Sequence, residues 1–183
     1  MKLGCCAQLS HRKPSFVYVH AVQAIHSWQR MKKIRVIAVD DNPAVTDAVL
    51  DKLELEPGFE CVGCLDSADE LVEQSLELQP DVILLDLEMP GKNALEALYE
   101  VCQAVPTVRV VILSSYSEQH LVDKAVENGA WGYLNKSASP DDIVQAIRKV
   151  AAGVFFFGPL IVAQLRRSLA AAAGSQRQIL TES

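Results

Sequence analysis

Ile34-Arg35-Val36-Ile37-Ala38-Val39-Asp40-Asp41-Asn42-Pro43 is the stretch that decides the fold. Its first six residues are mostly aliphatic and do not alternate with polar ones, so they read as a strand buried on both faces, as a parallel sheet covered by helices demands. Two acids end the strand, and Asn42-Pro43 supplies an N-cap followed by proline at the first helical position. Val45, Val49 and Leu53 then recur at i, i+4 and i+8, so an amphipathic helix follows at once.

The same unit repeats down the chain. Phe59–Leu65, Val82–Leu85, Val108–Leu113 and Trp131–Leu134 are further short apolar runs. The second helix is expected from a capping box, Ser67-x-x-Glu70, ahead of Leu71, Val72 and Leu76. Leu95, Leu98 and Cys102 mark the third helix. Leu121, Val122, Ala125 and Val126 mark the fourth, with Gly129 suited to its left-handed C-terminal position. Ser139-Pro140-Asp141-Asp142 opens the fifth as N-cap, proline and acidic first turn; Ile143, Ile147 and Val150 form its stripe and Gly153 ends it. Five strand–helix units in succession imply right-handed crossovers and a doubly wound α/β fold: five parallel strands with helices on both faces.

Outside these units the sequence predicts two appendages. Residues 1–30 have no clear period and read as a leader outside the folded domain, with Met31 an alternative start; the domain is expected over 31–152, and a linker helix and tail over 153–183. Within that last segment Val154–Pro159 reads as an apolar turn, and Leu160–Ala173 as a helix with Ile161, Leu165 and Leu169 on one face.

Charge follows the same divisions. The chain has 183 residues, 17 Lys and Arg against 23 Asp and Glu, and a net charge of −6. Residues 1–30 carry four bases and no acid, residues 31–142 eight bases and 22 acids, and residues 143–183 five bases and one acid. An acidic middle argues against a nucleic-acid-binding core, since phosphate contacts need the opposite sign where the folded mass lies. Runs such as Val82–Leu85 and Val110–Leu113 are far short of the roughly 20 apolar residues of a spanning helix, and neither a cleavage site after Phe16–Ile25 nor an apolar stretch before Leu3-Gly4-Cys5 supports export. No membrane association is expected. Five cysteines, an odd count, fit a reducing cytoplasm. Cys61 and Cys64 form a C-x-x-C within the second strand, where residues three apart point to opposite faces; the expectation is a pair of unconnected, buried structural thiols.

In an open α/β sheet ligands bind beyond the carboxyl ends of the strands. Asp40 and Asp41 follow the first strand, Asp86 the third, Ser114 the fourth, and Lys136 lies just past the fifth. With strand order 2-1-3-4-5 the first and third strands are neighbours, so three carboxylates converge and need a cation to stay ionised together. A few oxygen ligands suit Mg²⁺. Taken singly, each residue also has a plain structural role: Asp41-Asn42 as cap chemistry, Asp86 before a turn at Met89-Pro90-Gly91, Ser114 as a helix cap, Lys136 as a solvated lysine. Their shared position at one edge of one sheet is what points to a site.

Val39-Asp40-Asp41-Asn42, Leu85-Asp86-Leu87-Glu88-Met89-Pro90-Gly91, Leu113-Ser114-Ser115 and Gly132-Tyr133-Leu134-Asn135-Lys136 resemble the signature segments of the response-regulator receiver domains of two-component systems. They fall in order, with spacings of 45, 28 and 22 residues between Asp41, Asp86, Ser114 and Lys136. The resemblance spans about Lys33 to Ala152 and implies a flavodoxin-like fold. It implies that Asp86 accepts a phosphoryl group from a phosphohistidine on a sensor histidine kinase, and that Asp40, Asp41, Asp86 and the backbone carbonyl of Glu88 hold Mg²⁺, with no organic cofactor. Lys136 and Ser114 would contact the phosphoryl group, Ser114 and Tyr133 would form the switch, and Glu88 and Tyr116 would govern water access to the acyl phosphate. Such a protein is a phosphoacceptor that catalyses its own phosphotransfer and slow autodephosphorylation, not an enzyme acting on a separate substrate. Ser137 stands where the family commonly has proline, and Ala94 where many members have glycine.

Gly129-Ala130-Trp131-Gly132-Tyr133-Leu134 and the helix beyond are similar to the NarL/LuxR-type subfamily, in which a helix-turn-helix domain follows a linker. Ile179-Leu180-Thr181-Glu182-Ser183 partly matches the opening of such a domain, but its body is not in the sequence, so DNA reading by this chain itself is not expected. A homodimer formed on phosphorylation is compatible with the resemblance. Two alternatives remain: a receiver-like protein-binding module that is not phosphorylated, and a phosphohydrolase of the haloacid-dehalogenase type. The second would place its nucleophile in a D-x-D motif after the first strand, whereas here Glu88 occupies the second position and the motif follows the third strand.

Overall fold

A computed structural model describes residues 32–163 and 166, and the architecture below belongs to the compact unit that begins at Lys33. Strands β1 (Ile34–Val39), β2 (Phe59–Leu65), β3 (Val82–Leu85), β4 (Arg109–Ser114) and β5 (Ala130–Asn135) alternate with helices α1 (Pro43–Leu55), α2 (Leu71–Leu78), α3 (Ala94–Ala104), α4 (Gln119–Glu127) and α5 (Pro140–Ala151). All strand pairs are parallel, in the order β2-β1-β3-β4-β5. The doubly wound fold expected from the sequence is therefore present, with one addition. Phe156–Phe157, read above as part of a turn, forms a sixth strand, β6, parallel to β5.

Apolar side chains fill both faces of the sheet. Ile37, Ile83, Leu85 and Ile112 meet Leu71 of α2, Leu98 and Val101 of α3 and Val122 of α4 on one side. Val36, Val82, Leu84 and Val111 meet Val49 and Leu53 of α1 and Ile143, Ile147 and Val150 of α5 on the other. All four residues of β3 are buried, as befits the central strand.

Helix starts divide into capped and bare. The Asn42 side chain accepts from the Ala44 amide, Asn93 from the amides of Leu95 and Glu96, and Ser139 from that of Asp142. The expected capping box at Ser67 and Glu70 does not form: α2 starts at Leu71, and its N-cap, Glu70, makes no side-chain bond. The intervening residues are committed elsewhere. Ser67 Oγ donates to Asp69 Oδ2 (3.4 Å), and Asp69 Oδ1 accepts the Lys92 amide at 2.8 Å. That contact ties the start of α2 to the loop after β3, where Gly91 adopts φ 86° and an added Cβ would lie 2.5 Å from Asp69 Oδ2.

The C-x-x-C reading also needs correction. Val36 pairs with Cys61 but Ile37 pairs with Gly63, so Val62 is an extra residue in β2 and the strand carries a β-bulge. Val62 packs into the α2–α3 side of the core, and the missing side chain of Gly63 also faces Ile37 and Leu78 on that side. Two consecutive residues on one face reverse the parity of those that follow. Cys61 and Cys64 therefore share the opposite face, with Sγ atoms 4.0 Å apart and Cys64 exposed.

Gly132 is where β6 docks: an added Cβ would meet the Phe156 carbonyl oxygen at 2.8 Å and Val111 at 3.3 Å. Gly132→Ala must push β6 outward or compress β4, and a loss of about 1–3 kcal/mol in urea unfolding is expected. After β6 the chain is helical at residues 159–163 and 166, with Ile161 fully buried. Leu165 and Leu169, the leader, Met31 and the sequence from Gly174 to Ser183 lie outside the described residues.

Candidate functional site

The carboxyl edge of the sheet gathers the sequence-predicted residues through backbone ladder bonds. The Asp40 amide donates to Leu65 O of β2 (3.0 Å), the Asp86 amide to Val39 O of β1 (2.9 Å), and the Lys136 amide to Ser114 O of β4 (2.9 Å). Each reactive residue thus sits one position past its own strand, with its backbone fixed by the neighbouring strand.

Asp40, Asp41 and Asp86 each offer a carboxylate oxygen, and these atoms lie within 4.8 Å of one another. Asp40 and Asp86 are buried; Asp41 is exposed. The Asp40 Oδ1 atom accepts the Asn42 amide at 2.9 Å, which fixes its orientation. Lys136 Nζ bridges the two buried acids, 2.7 Å from Asp86 Oδ2 and 2.8 Å from Asp40 Oδ2. Asp86 Oδ1 is buried with no hydrogen-bond partner. An orphaned buried carboxylate oxygen beside two further carboxylates fits a hard cation with oxygen ligands, so the residues present suit Mg²⁺.

Electrostatics at the site follow from this burial. Burial raises the Asp86 pKa above the ordinary carboxylate value, and Lys136 and the nearby Glu88 amide only partly offset it. For Lys136 burial works to lower the pKa, but Asp40 and Asp86 outweigh it and the ammonium is held more firmly than usual. One cation is shared by two buried acids, so the pocket keeps an excess of negative charge.

Ser114 is fully buried, and its Oγ accepts the Tyr116 amide at 3.1 Å. Tyr133 is also fully buried, and its hydroxyl donates to Tyr116 O at 2.9 Å. Both predicted switch residues are therefore tied to Tyr116. The Tyr133 ring already lies in the core. Burial pushes the Tyr133 phenol up, with the Ser114 hydroxyl pulling the other way. Tyr116 itself is exposed, and the Glu88 carboxylate beside it raises its phenol pKa.

Asn135 was not singled out in the sequence, yet it links the two loops around Lys136. Its Nδ2 donates to Ser115 O (3.1 Å) and its Oδ1 accepts the Ser137 amide (2.9 Å). A proline at 137 could make no such bond, since it has no amide hydrogen to donate to Asn135 Oδ1. The juxtaposition Asn135-Lys136-Ser137 was the available signal.

Residues 36–148 match the family model described as the response regulator receiver domain. The response regulator GacA of Pseudomonas viridiflava is 37% identical over 132 residues, which cover 72% of this chain and 62% of that protein. The nitrate/nitrite response regulator NarL of Escherichia coli K12 is 32% identical over 139 residues, covering 74% of this chain and 64% of its own length. The crystal structure of a LuxR-family two-component response regulator from Aurantimonas sp. SI85-9A1 superposes with a TM-score of 0.72 at 30% identity, covering 76% of this chain and 99% of that one. The matched region spans a little over three-fifths of the length of these curated relatives. The dehalogenase-type alternative is thereby set aside, and among the described residues no helix is long and apolar enough to cross a membrane. Strand order, the acid cluster at the sheet edge and the matched residues agree: the chain belongs to the response regulator receiver family of two-component systems.

Proposed function

We propose that Asp86 accepts a phosphoryl group from a phosphohistidine on a sensor histidine kinase, and that the resulting acyl phosphate switches a surface around α4 and β5. The observation that carries this reading is the state of the Asp86 carboxylate: buried, held through Oδ2 by Lys136 at 2.7 Å, and with Oδ1 left without a hydrogen bond. Asp40, Asp41, Asp86 and the Glu88 backbone carbonyl would hold Mg²⁺, which when bound supplies positive charge to the transferring oxygens.

The chain's own residues then have distinct tasks. An Asp86 oxygen attacks phosphorus as the phosphorus–nitrogen bond to the imidazole breaks, and the electron pair leaves with the imidazole. Lys136, already aimed at Asp86, stabilises charge on the phosphoryl oxygens without changing its protonation. Ser114 Oγ, which now accepts from the Tyr116 amide, would turn its proton toward a phosphoryl oxygen. The pull on the Ser114 hydroxyl acts on the Tyr116 amide that it accepts and, through Tyr116, on the carbonyl on which the Tyr133 hydroxyl rests, so a local charge event is passed to the β4–α4 loop.

The receiver is taken to span 31–152, with 1–30 outside it and 153–183 as a linker, and it would act in the cytoplasm on a partner or an output segment, with dimerisation on phosphorylation as one route. Incubation of the chain with Mg²⁺ and a small phosphoramidate donor, followed by intact mass, tests the reading: one phosphoryl adduct is expected, and none after chelation. No adduct at saturating donor and Mg²⁺ would leave the protein-binding-module reading in its place. Tyr116 stands beside Glu88, and its bulk would restrict water attacking the acyl phosphate at Asp86. Tyr116→Ala is expected to shorten the acyl-phosphate lifetime about threefold or more; a lifetime equal to the parent's removes that role.

A further inference from the structure

Outside the acidic pocket, the bulged edge strand holds a second cluster of reactive groups. The bulge at Val62 turns Cys61 and Cys64 to the same face of β2, that of Val36 and Phe59, beneath α1. Their Sγ atoms are 4.0 Å apart. A disulfide needs about 2.05 Å, close to half that separation. Two metal–thiolate bonds of about 2.3 Å, by contrast, span roughly 3.8 Å at a tetrahedral angle and roughly 4.6 Å when collinear. The separation in the structure lies between these limits, so an ion fits with little movement of the strand.

The surroundings favour the same occupant. Cys64 is exposed and gives access from solvent, while Cys61 is half-buried and its thiol donates to Gly63 O at 3.3 Å. Burial, with Cys64 and then Glu54 adding to it, pushes the Cys61 thiol up to about 11, so its proton stays on until something displaces it. Glu54 of α1 gives the spot a negative potential that attracts a cation. Sulfur ligands select soft ions of the zinc, cadmium and copper(I) class over Mg²⁺, so this place and the carboxylate pocket would not compete for the same ion.

We propose that Cys61 and Cys64 form a two-thiolate site for a soft, thiophilic metal ion on the α1 face of β2. Binding replaces two S–H bonds by two metal–sulfur bonds and releases two protons to solvent, with no change of oxidation state. Water completes the coordination on the exposed side. The site stands apart from phosphorylation and does not rest on the function proposed above.

Anaerobic titration of the reduced full-length chain with Cd²⁺, followed by thiolate-to-metal charge-transfer absorption, tests the site. The parent chain contains Cys5, Cys6 and Cys102 as well, so the titration is repeated in a Cys5→Ser/Cys6→Ser background and in Cys102→Ser. In both, one ion per chain is expected at Cys61 and Cys64, with Zn²⁺ competing for it. Cys64→Ser, at an exposed position where folding is not at risk, is expected to weaken binding about 100-fold, and Cys61→Ser similarly. Absorption that vanishes in the Cys5→Ser/Cys6→Ser background, or that persists when Cys61→Ser/Cys64→Ser is added to that background, overturns the proposal. So does a chain that takes up no Cd²⁺ when reduced yet loses two hydrogens between these cysteines in air, which would make the pair a redox couple instead.

Discussion

Asp86→Asn is expected to abolish phosphoryl uptake altogether while leaving the chain folded. The amide keeps the size of the side chain but removes the nucleophilic charge, and Asp40, the other buried acid that Lys136 contacts, has its Oδ1 committed to the Asn42 amide whereas Asp86 Oδ1 has no hydrogen bond. Two further consequences distinguish this from simple damage. Burial holds the Asp86 pKa above its ordinary value, so the charged form is disfavoured by the fold. A carboxylate of this kind lowers stability as pH rises from its unfolded pKa through its folded one. At neutral pH, without divalent cation, Asp86→Asn should therefore raise the unfolding midpoint, and the gain should shrink as the pH falls below that window. An Asp86→Asn chain that still gains a phosphoryl group, or that is less stable at neutral pH, contradicts this reading of the pocket.

Lys136→Met carries the second large effect. The substitution keeps the apolar stem and deletes the charge that bridges Asp40 and Asp86 at 2.8 and 2.7 Å. Phosphorylation by a small donor is expected to slow about 100-fold, the usual cost of removing one well-placed positive group from a transfer reaction. Stability should fall by about 3 kcal/mol at neutral pH without divalent cation, because two buried acids lose their counter-charge. The sign of the pH dependence is fixed. The Lys136 pKa is raised, so its stabilisation is fully present below its unfolded value and fades only as pH rises through the folded one. The deficit of Lys136→Met should thus persist across neutral pH and shrink in acid, where the carboxylates become protonated, or on addition of Mg²⁺. Urea unfolding with and without Mg²⁺ measures this; a deficit that Mg²⁺ leaves unchanged would mean the acids are not what Lys136 balances.

Strands and acids were the legible part of this protein. Continuous apolar runs such as Val82–Leu85 can hardly be anything but central strands of a covered sheet, and polar residues at their carboxyl ends can only gather at one edge. What escaped the sequence depended on partners far along the chain. Ser67 and Glu70 have the spacing of a capping box, yet Asp69 between them is drawn to the Lys92 amide, and the helix starts later. The bulge at Val62 depends on how β2 registers against β1, which nothing within Phe59–Leu65 announces, and it turned two thiols expected on opposite faces into a pair. Phe156–Phe157 is too short to signal a strand and becomes one because Gly132 lets it approach β5.

At the site, the residues were legible but their connections were not. That Lys136 bridges both Asp40 and Asp86, that Asn135 braces the loops on either side of it, and that Tyr133 is already inside the core are facts of packing. None of the three follows from spacing, because each depends on where a side chain turns once the strands are in register.

The location of the phosphoryl group tests the central claim most directly. Borohydride reduces an acyl phosphate to the alcohol, so the phosphorylated chain, reduced and cleaved into peptides, reports the modified carboxylate by mass. Conversion of Asp86 to homoserine, with Asp40 and Asp41 unchanged, is the expected result. Reduction at Asp40 or Asp41, or an adduct that borohydride leaves intact because it sits on another type of side chain, would contradict the assignment of Asp86 as the phosphoryl acceptor.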